Sequence, residues 1–201
     1  MLLLTRPTDA RWVETALENL DAVLIDHAHC EMKAASNALA LAARAVHAPQ
    51  IVRPLIALAE EEMLHFRMVL DELDRRGLKL GPPPPDPYAR KLRTLAHEHP
   101  TPIRPPLGPL VDRLLVGCLI EARSCERFRL LADALAERGP EDLAKFYADL
   151  FAAEARHFRT FVDLANEVLG DRKAVRARLE QLAEGEGEIV ARLVNEPEVH
   201  G

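Results

Sequence analysis

Glu62-Met63-Leu64-His65 recurs as Glu154-Ala155-Arg156-His157, and each copy follows a lone glutamate: Glu31 lies 31 residues before Glu62, and Glu121 lies 33 before Glu154. A Glu and a His three positions apart project from one face of a helix, so both can hold one ion. With 20 glutamates and 8 histidines in 201 residues, chance alone supplies about one such spacing. The weight therefore rests on where these residues sit.

Outward from the two motifs the chain reads as all-α. A helix over 9–46 carries the stripe Leu17, Leu20, Leu24, His27, Glu31, Ala34, Ala38, Leu41, and one over 49–76 carries Leu55, Leu58, Glu62, His65, Val69. A third over 108–138 carries Leu114, Cys118, Glu121, Cys125, Phe128, and a fourth over 140–169 carries Leu150, Glu154, His157, Phe161, Leu164. Each stripe keeps the three-four spacing of an amphipathic helix, and each has a glutamate at its centre. Pro49 and Pro140 suit helix starts, Gly77 and Gly170 helix ends. Residues 77–107 hold Pro82 to Pro85 and five further prolines, so the expectation there is an extended link without a long helix. A helix of ~28 residues is ~42 Å long, which a ~30-residue link spans easily. The second and third helices can then run parallel, as in a ferritin-like four-helix bundle with one long crossover. A more polar helix over 171–194 is expected outside the bundle, weakened by Gly185 and Gly187. One domain, 1–201, accounts for the length.

Composition agrees. Hydrophobic content of 48% with only 4% aromatic favours helices packed through small side chains. A net charge of −6 excludes a globally basic nucleic-acid binder and leaves only a local patch for that role. Cys30, Cys118 and Cys125 are odd in number and lack zinc-like spacing, which suits a reducing compartment. Leu2 to Leu4 are too short a run for a signal peptide, and no apolar run approaches the ~20 residues of a membrane span. The expected location is cytoplasmic, with no membrane partner.

Four carboxylates converging in a core cannot stay ionised and unpaired. Two divalent ions neutralise them, and two imidazoles add neutral nitrogen donors. The candidate ligands are Glu31, Glu62, His65, Glu121, Glu154 and His157. This mixed set suits iron or manganese better than zinc, and it matches the di-iron carboxylate pattern of one Glu from each of two helices and Glu-x-x-His from the other two. Taken singly, each glutamate is better explained as a flank residue in an exposed salt bridge. Taken together, as two halves offset by 90 residues at the lone glutamates and 92 at the motifs, they are not. His27, on the Glu31 face, is assigned a role behind the ligands. Cys118, Cys125, Trp12 and Tyr147 are assigned to the core.

At these residues the chain resembles the bacterial tRNA 2-methylthio-N6-isopentenyladenosine hydroxylases. The resemblance is carried by Leu24-Ile25-Asp26-His27-Ala28-His29-Cys30-Glu31, Glu61-Glu62-Met63-Leu64-His65-Phe66, Asp112-Arg113-Leu114-Leu115-Val116-Gly117, Glu121-Ala122-Arg123-Ser124-Cys125-Glu126-Arg127-Phe128 and Glu154-Ala155-Arg156-His157-Phe158. It implies a non-haem di-iron monooxygenase that uses two iron ions and O2, with electrons from a reductase, to hydroxylate the isopentenyl group of a modified adenosine beside the tRNA anticodon. The six residues above take the ligand roles, and Glu126 is left out because it lies on another helix face.

Residues 75–104 hold seven Arg or Lys against Asp86 and Glu98, a local charge of +5 on an acidic chain. Arg90, Lys91 and Arg93 at its centre are candidate phosphate contacts for the anticodon arm. Two other functions stay open from the residues alone: a ferritin-like ferroxidase or iron-storage protein, and a non-enzymatic helical binding module.

Overall fold

The computed structural model describes residues 3–99, 101, 103, 105–193 and 197–200, and among them secondary structure is entirely helical. Helices α1 (Ala10–Glu18), α2 (Leu20–Arg44), α3 (Val52–Arg75), α4 (Pro87–Glu98), α5 (Leu107–Arg138), α6 (Glu141–Leu169) and α7 (Arg172–Val190) follow in order, with a 3-10 turn Pro49–Ile51 before α3. None is long and apolar enough to cross a membrane among the described residues.

Four of them, α2, α3, α5 and α6, form a ferritin-like bundle. The pairs α2–α3 and α5–α6 pack most extensively against each other. Their apolar stripes divide into two clusters. One joins Ala38 and Leu41 of α2, Leu55 and Leu58 of α3, Leu110 to Leu119 of α5 and Phe161 to Val168 of α6. The other joins Val23 to Ala28, Val69 and Leu73, Phe128 to Leu135, and Leu143 to Leu150. Chain direction follows from this division. Both α3 and α5 run from the first cluster to the second, and are therefore parallel, whereas α2 and α6 run the other way. Between the clusters each stripe is interrupted by its glutamate, so a polar layer crosses the middle of the bundle.

Two expectations about the elements need correction. The helix expected over 9–46 is broken at Asn19, whose backbone leaves the helical region (φ −132°, ψ 41°) while its side chain donates to Thr15 O at 2.8 Å. An Asn that bonds back to the preceding turn competes with helix continuation. The short α1 is thereby released to bury Trp12 and Ala16, leaving Leu17 and Leu20 only part-buried. The crossover expected as an extended loop over 77–107 contains α4, a helix of 12 residues. Asp86 caps it by accepting from Ala89 N at 2.9 Å, and Pro87 occupies the first turn, where a missing N–H does no harm. Tyr88, Ala89, Leu92 and Ala96 form its buried face, against α5 and α7.

Helix α7 begins at Asp171, whose side chain accepts from Lys173 N and Ala174 N, and ends at Val190, short of the expected 194, which lies outside the described residues. Its glycines mark close approach. A Cβ on Gly185 would sit 2.5 Å from Leu95 Cδ2, and one on Gly187 would sit 2.4 Å from Thr5 Oγ1.

Candidate metal centre

The polar layer holds all six candidate ligands, and each is buried: Glu31 on α2, Glu62 and His65 on α3, Glu121 on α5, Glu154 and His157 on α6. Glu62, His65, Glu154 and His157 each offer one ligand atom within 4.8 Å of the others. Glu62 lies between the two rings, with Oε1 2.9 Å from His157 Nδ1 and Oε2 3.5 Å from His65 Nδ1. Glu31 joins through Oε2, 3.5 Å from His65 Nδ1. Glu121 joins through contact with the Glu154 carboxyl. The imidazoles of His65 and His157 stack at 5.5 Å between centroids.

Electrostatics within the layer reflect a shortage of positive charge. Burial and the nearby Glu62 push the Glu121 carboxyl up to about 7, and burial with the Glu121 charge raises Glu154 well above the usual carboxylate range. Burial alone would lower both histidines. Contacts with Glu31 and Glu62 nevertheless lift His65 to about 10, and contacts with Glu62 lift His157 to about 9. Glu31 is also opposed by burial, yet His27 and His65 hold it below its ordinary value. Protons are thus drawn into the layer to offset the carboxylates.

A cation fits these residues better than protons do. Glu62 Oε1, His65 Nδ1, Glu154 Oε2 and His157 Nδ1 are buried without a hydrogen-bond partner, an inward atom from each of the four clustered residues, and His157 Nε2 lacks one as well. Buried polar atoms are rarely left so, and four that converge from two helices form a donor set of the oxygen and nitrogen type that iron or manganese accepts.

Behind the ligands the two halves differ. His27 Nε2 lies 2.6 Å from Glu31 Oε1, the outer role its position suggested, and its ring stacks on Tyr147 at 5.5 Å. Ninety residues on, the place of His27 is taken by Gly117, where an added Cβ would stand 3.0 Å from the Phe161 ring.

The remaining residues of the resembling strings do something the sequence did not disclose. Arg123, fully buried, donates to both oxygens of Glu186 on α7 at 2.8–3.0 Å, to Glu126, to Thr8 Oγ1 and to Arg6 O. Tyr88 of α4 donates to Glu186 Oε1 at 2.9 Å. Arg127 donates to the carbonyls of Glu198 and Val199, and Asp26 accepts from Val199 N at 2.6 Å. Ser124 Oγ lies 2.9 Å from His200 Nε2. These strings fasten residues 6–8, α4, α7 and residues 198–200 onto the bundle. Apart from Glu126, their partners lie 63 to 173 positions away in sequence, so no local pattern could have found them.

On α4, Arg90, Lys91 and Arg93 are exposed and pair with no carboxylate among the described residues. Arg75 and Arg76, counted in the same basic stretch, instead bind Glu72, and Arg104 lies outside the described residues. The basic feature is therefore one face of a short helix.

The family model of tRNA-(MS2IO6A)-hydroxylase (MiaE) matches residues 1–201. The tRNA 2-(methylsulfanyl)-N(6)-isopentenyladenosine(37) hydroxylase of Pseudomonas putida is 39% identical over 184 residues, covering 92% of this chain and 84% of its own. Its namesake from Salmonella typhimurium is 28% identical, covering 92% and 82%. Among solved structures, a Synechococcus protein described by aldehyde deformylating oxygenase activity superposes with a TM-score of 0.84 at 36% identity, covering 99% of this chain and 96% of its own.

Proposed function

This chain belongs to the tRNA-(MS2IO6A)-hydroxylase family, and we propose that it uses two iron ions and O2 to hydroxylate the isopentenyl group of 2-methylthio-N6-isopentenyladenosine in tRNA. The observation that carries the metal reading is the convergence of Glu62, His65, Glu154 and His157, with at least one unpartnered buried atom each. Glu31, Glu62 and His65 serve one ion, Glu121, Glu154 and His157 the other, and Glu62 faces both histidines. The iron pair, when bound, supplies O2 activation. The chain's own residues then have three tasks. His27 holds one oxygen of Glu31 so that the other faces the centre. The apolar clusters above and below the polar layer keep water from it. Arg90, Lys91 and Arg93 on α4 contact phosphates of the anticodon arm and orient the substrate.

In the overall reaction one oxygen atom of O2 replaces a C–H with C–O–H, and the other leaves as water. A reductase supplies the two electrons, and two protons come from solvent. The substrate sets the place of action as the cytoplasm. Both curated relatives carry hydroxylase names, which favours an enzyme over a storage protein or a metal-free module.

The test is direct. Iron-loaded, reduced protein is mixed with O2 and prenylated, methylthiolated tRNA, and the nucleosides are analysed for one added oxygen. An unchanged nucleoside with iron bound and oxidised refutes the substrate. A second reading is favoured by the Synechococcus protein: the same centre acting on an aldehyde, with the α4 face idle. Supplying an aldehyde and the tRNA together, and following which is consumed, separates the two.

A further inference from the structure

We propose that Glu61 is a positioning residue that fixes the His157 ring, and that only one of the two ion positions is held in this way; the inference rests on the ligand reading above. Glu61 precedes Glu62 in α3 and lies at the bundle surface, 36% exposed at its side chain. Its Oε2 stands 3.3 Å from His157 Nε2, at ion-pair distance but outside hydrogen-bond geometry, and its Oε1 accepts from Arg156 Nη2 at 2.5 Å. The other ring nitrogen, His157 Nδ1, points inward, 2.9 Å from Glu62 and 3.9 Å from Glu154. The ring is therefore set between an outer carboxylate and the inner ligand cluster. A carboxylate on the far nitrogen of a ligating histidine fixes its tautomer and orientation and makes it a better donor.

The second half of the chain has no counterpart. The offset of 92 residues that carries Glu62 onto Glu154 carries Glu61 onto Ala153 and Leu64 onto Arg156. Ala153 offers no acceptor from its side chain, and Leu64 is 48% exposed. Neither His157 Nε2 nor His65 Nε2 forms a hydrogen bond among the described residues; the difference is that a carboxylate stands at ion-pair distance from the first, whereas the ion pairs of His65 run through Nδ1, to Glu31 and Glu62. An exposed Glu–Arg pair contributes little to stability, so the Glu61–Arg156 pair acts chiefly through His157. The ion position served by His157 is then the tighter of the two, and that served by His65 the looser.

Anaerobic Co(II) titration, followed by ligand-field absorption and by equilibrium dialysis, tests this. Wild type is expected to take two ions in two steps of unequal affinity. E61A is expected to weaken the tighter step about 10- to 100-fold, with the looser step and the metal-free melting temperature unchanged. E61Q, whose amide oxygen can still face Nε2, recovers part of the loss. R156A, which releases Glu61 from its anchor, shows a smaller loss in the same step. E61A indistinguishable from wild type, both steps weakened equally, or E61Q as weak as E61A would each overturn the positioning role while leaving the ligand reading intact. Wild type that takes up no Co(II) overturns both.

Discussion

Two groups of charge are buried in this bundle, and they are satisfied in opposite ways. Arg123 meets its opposites directly: the guanidinium is bidentate to Glu186, reaches Glu126, and its remaining contacts are neutral acceptors. Arg178 does the same with Asp112 at 2.9–3.0 Å while also donating to Ala96 O. In the polar layer four carboxylates face two imidazoles, and buried donor atoms lack hydrogen-bond partners. Balanced charge closes a structure. Unbalanced charge calls for a cation, and substitutions should affect the two groups differently.

The largest difference is expected at the centre. Glu62→Ala removes the one carboxylate that faces both histidines and should reduce hydroxylation to background. It should not destabilise the metal-free protein through lost ion pairing, because it also relieves repulsion among the carboxylates. Glu154→Gln sharpens the point. Burial and Glu121 already favour a protonated Glu154 without metal, so a neutral amide should leave metal-free melting nearly unchanged yet impair iron uptake, measured by iron analysis. A large fall in metal-free stability for either variant would place these residues with the Arg123 group.

Arg123→Ala should give the converse. Removing one member of a buried, hydrogen-bonded pair costs about 3–5 kcal/mol, which for a chain of this size lowers melting by roughly 10 °C. Calorimetry on metal-free protein reads it. A loss below about 1 kcal/mol would mean that Glu186 and Glu126 find other partners and that the clasp is not a stability element.

The two groups also differed in how readily the sequence disclosed them. Glu62, His65, Glu154 and His157 were legible because helical periodicity brings residues three apart onto one face, and a charged pair inside an apolar stripe stands out locally. The Arg123 group was not. Arg123, Ser124 and Arg127 look like ordinary helix polar residues until α7 and residues 198–200 are folded against them, and those contacts are tertiary. Helix α4 is an intermediate case. Asp86-Pro87 is a start signal, and no proline intervenes until Pro100, yet prolines on both sides hid the helix among breakers. The bend at Asn19 had only one weak sign, a side chain able to bond the preceding turn.

Between the two groups in expected effect stands the basic face of α4. Reversing Arg90, Lys91 and Arg93 to Glu should weaken tRNA binding and reduce the slope of log affinity against log salt by about 2–3, near 0.7–0.9 per phosphate contact. The residues are exposed, so folding should hardly change. An unchanged slope would remove α4 from the interface, leaving the metal reading untouched.

The smallest effect is expected at the edge of the balanced group, where His200 completes it. Its ring stacks on Tyr88 at 5.2 Å and bonds Ser124, with Asp86 facing it against Lys33, Arg123 and Arg127. Burial, aided by the three cations and opposed by Asp86, lowers His200 from 6.5 to about 4. In that window the unfolded chain binds a proton that the folded ring refuses, so the attachment of residues 198–200 is fully stable above about pH 6.5 and weakens as pH falls toward 4. Local release limits the cost, because the segment can detach before the bundle melts. Trp12 reports that release, since its Nε1 donates to Glu198 O at 3.0 Å and it is the only tryptophan. Its fluorescence should shift between pH 6.5 and 4 at constant helicity, and His200→Ala should abolish that pH step. A step that survives the substitution would assign it instead to Asp26, which accepts from Val199 N and whose carboxyl is raised by burial, or to the carboxylates of the polar layer.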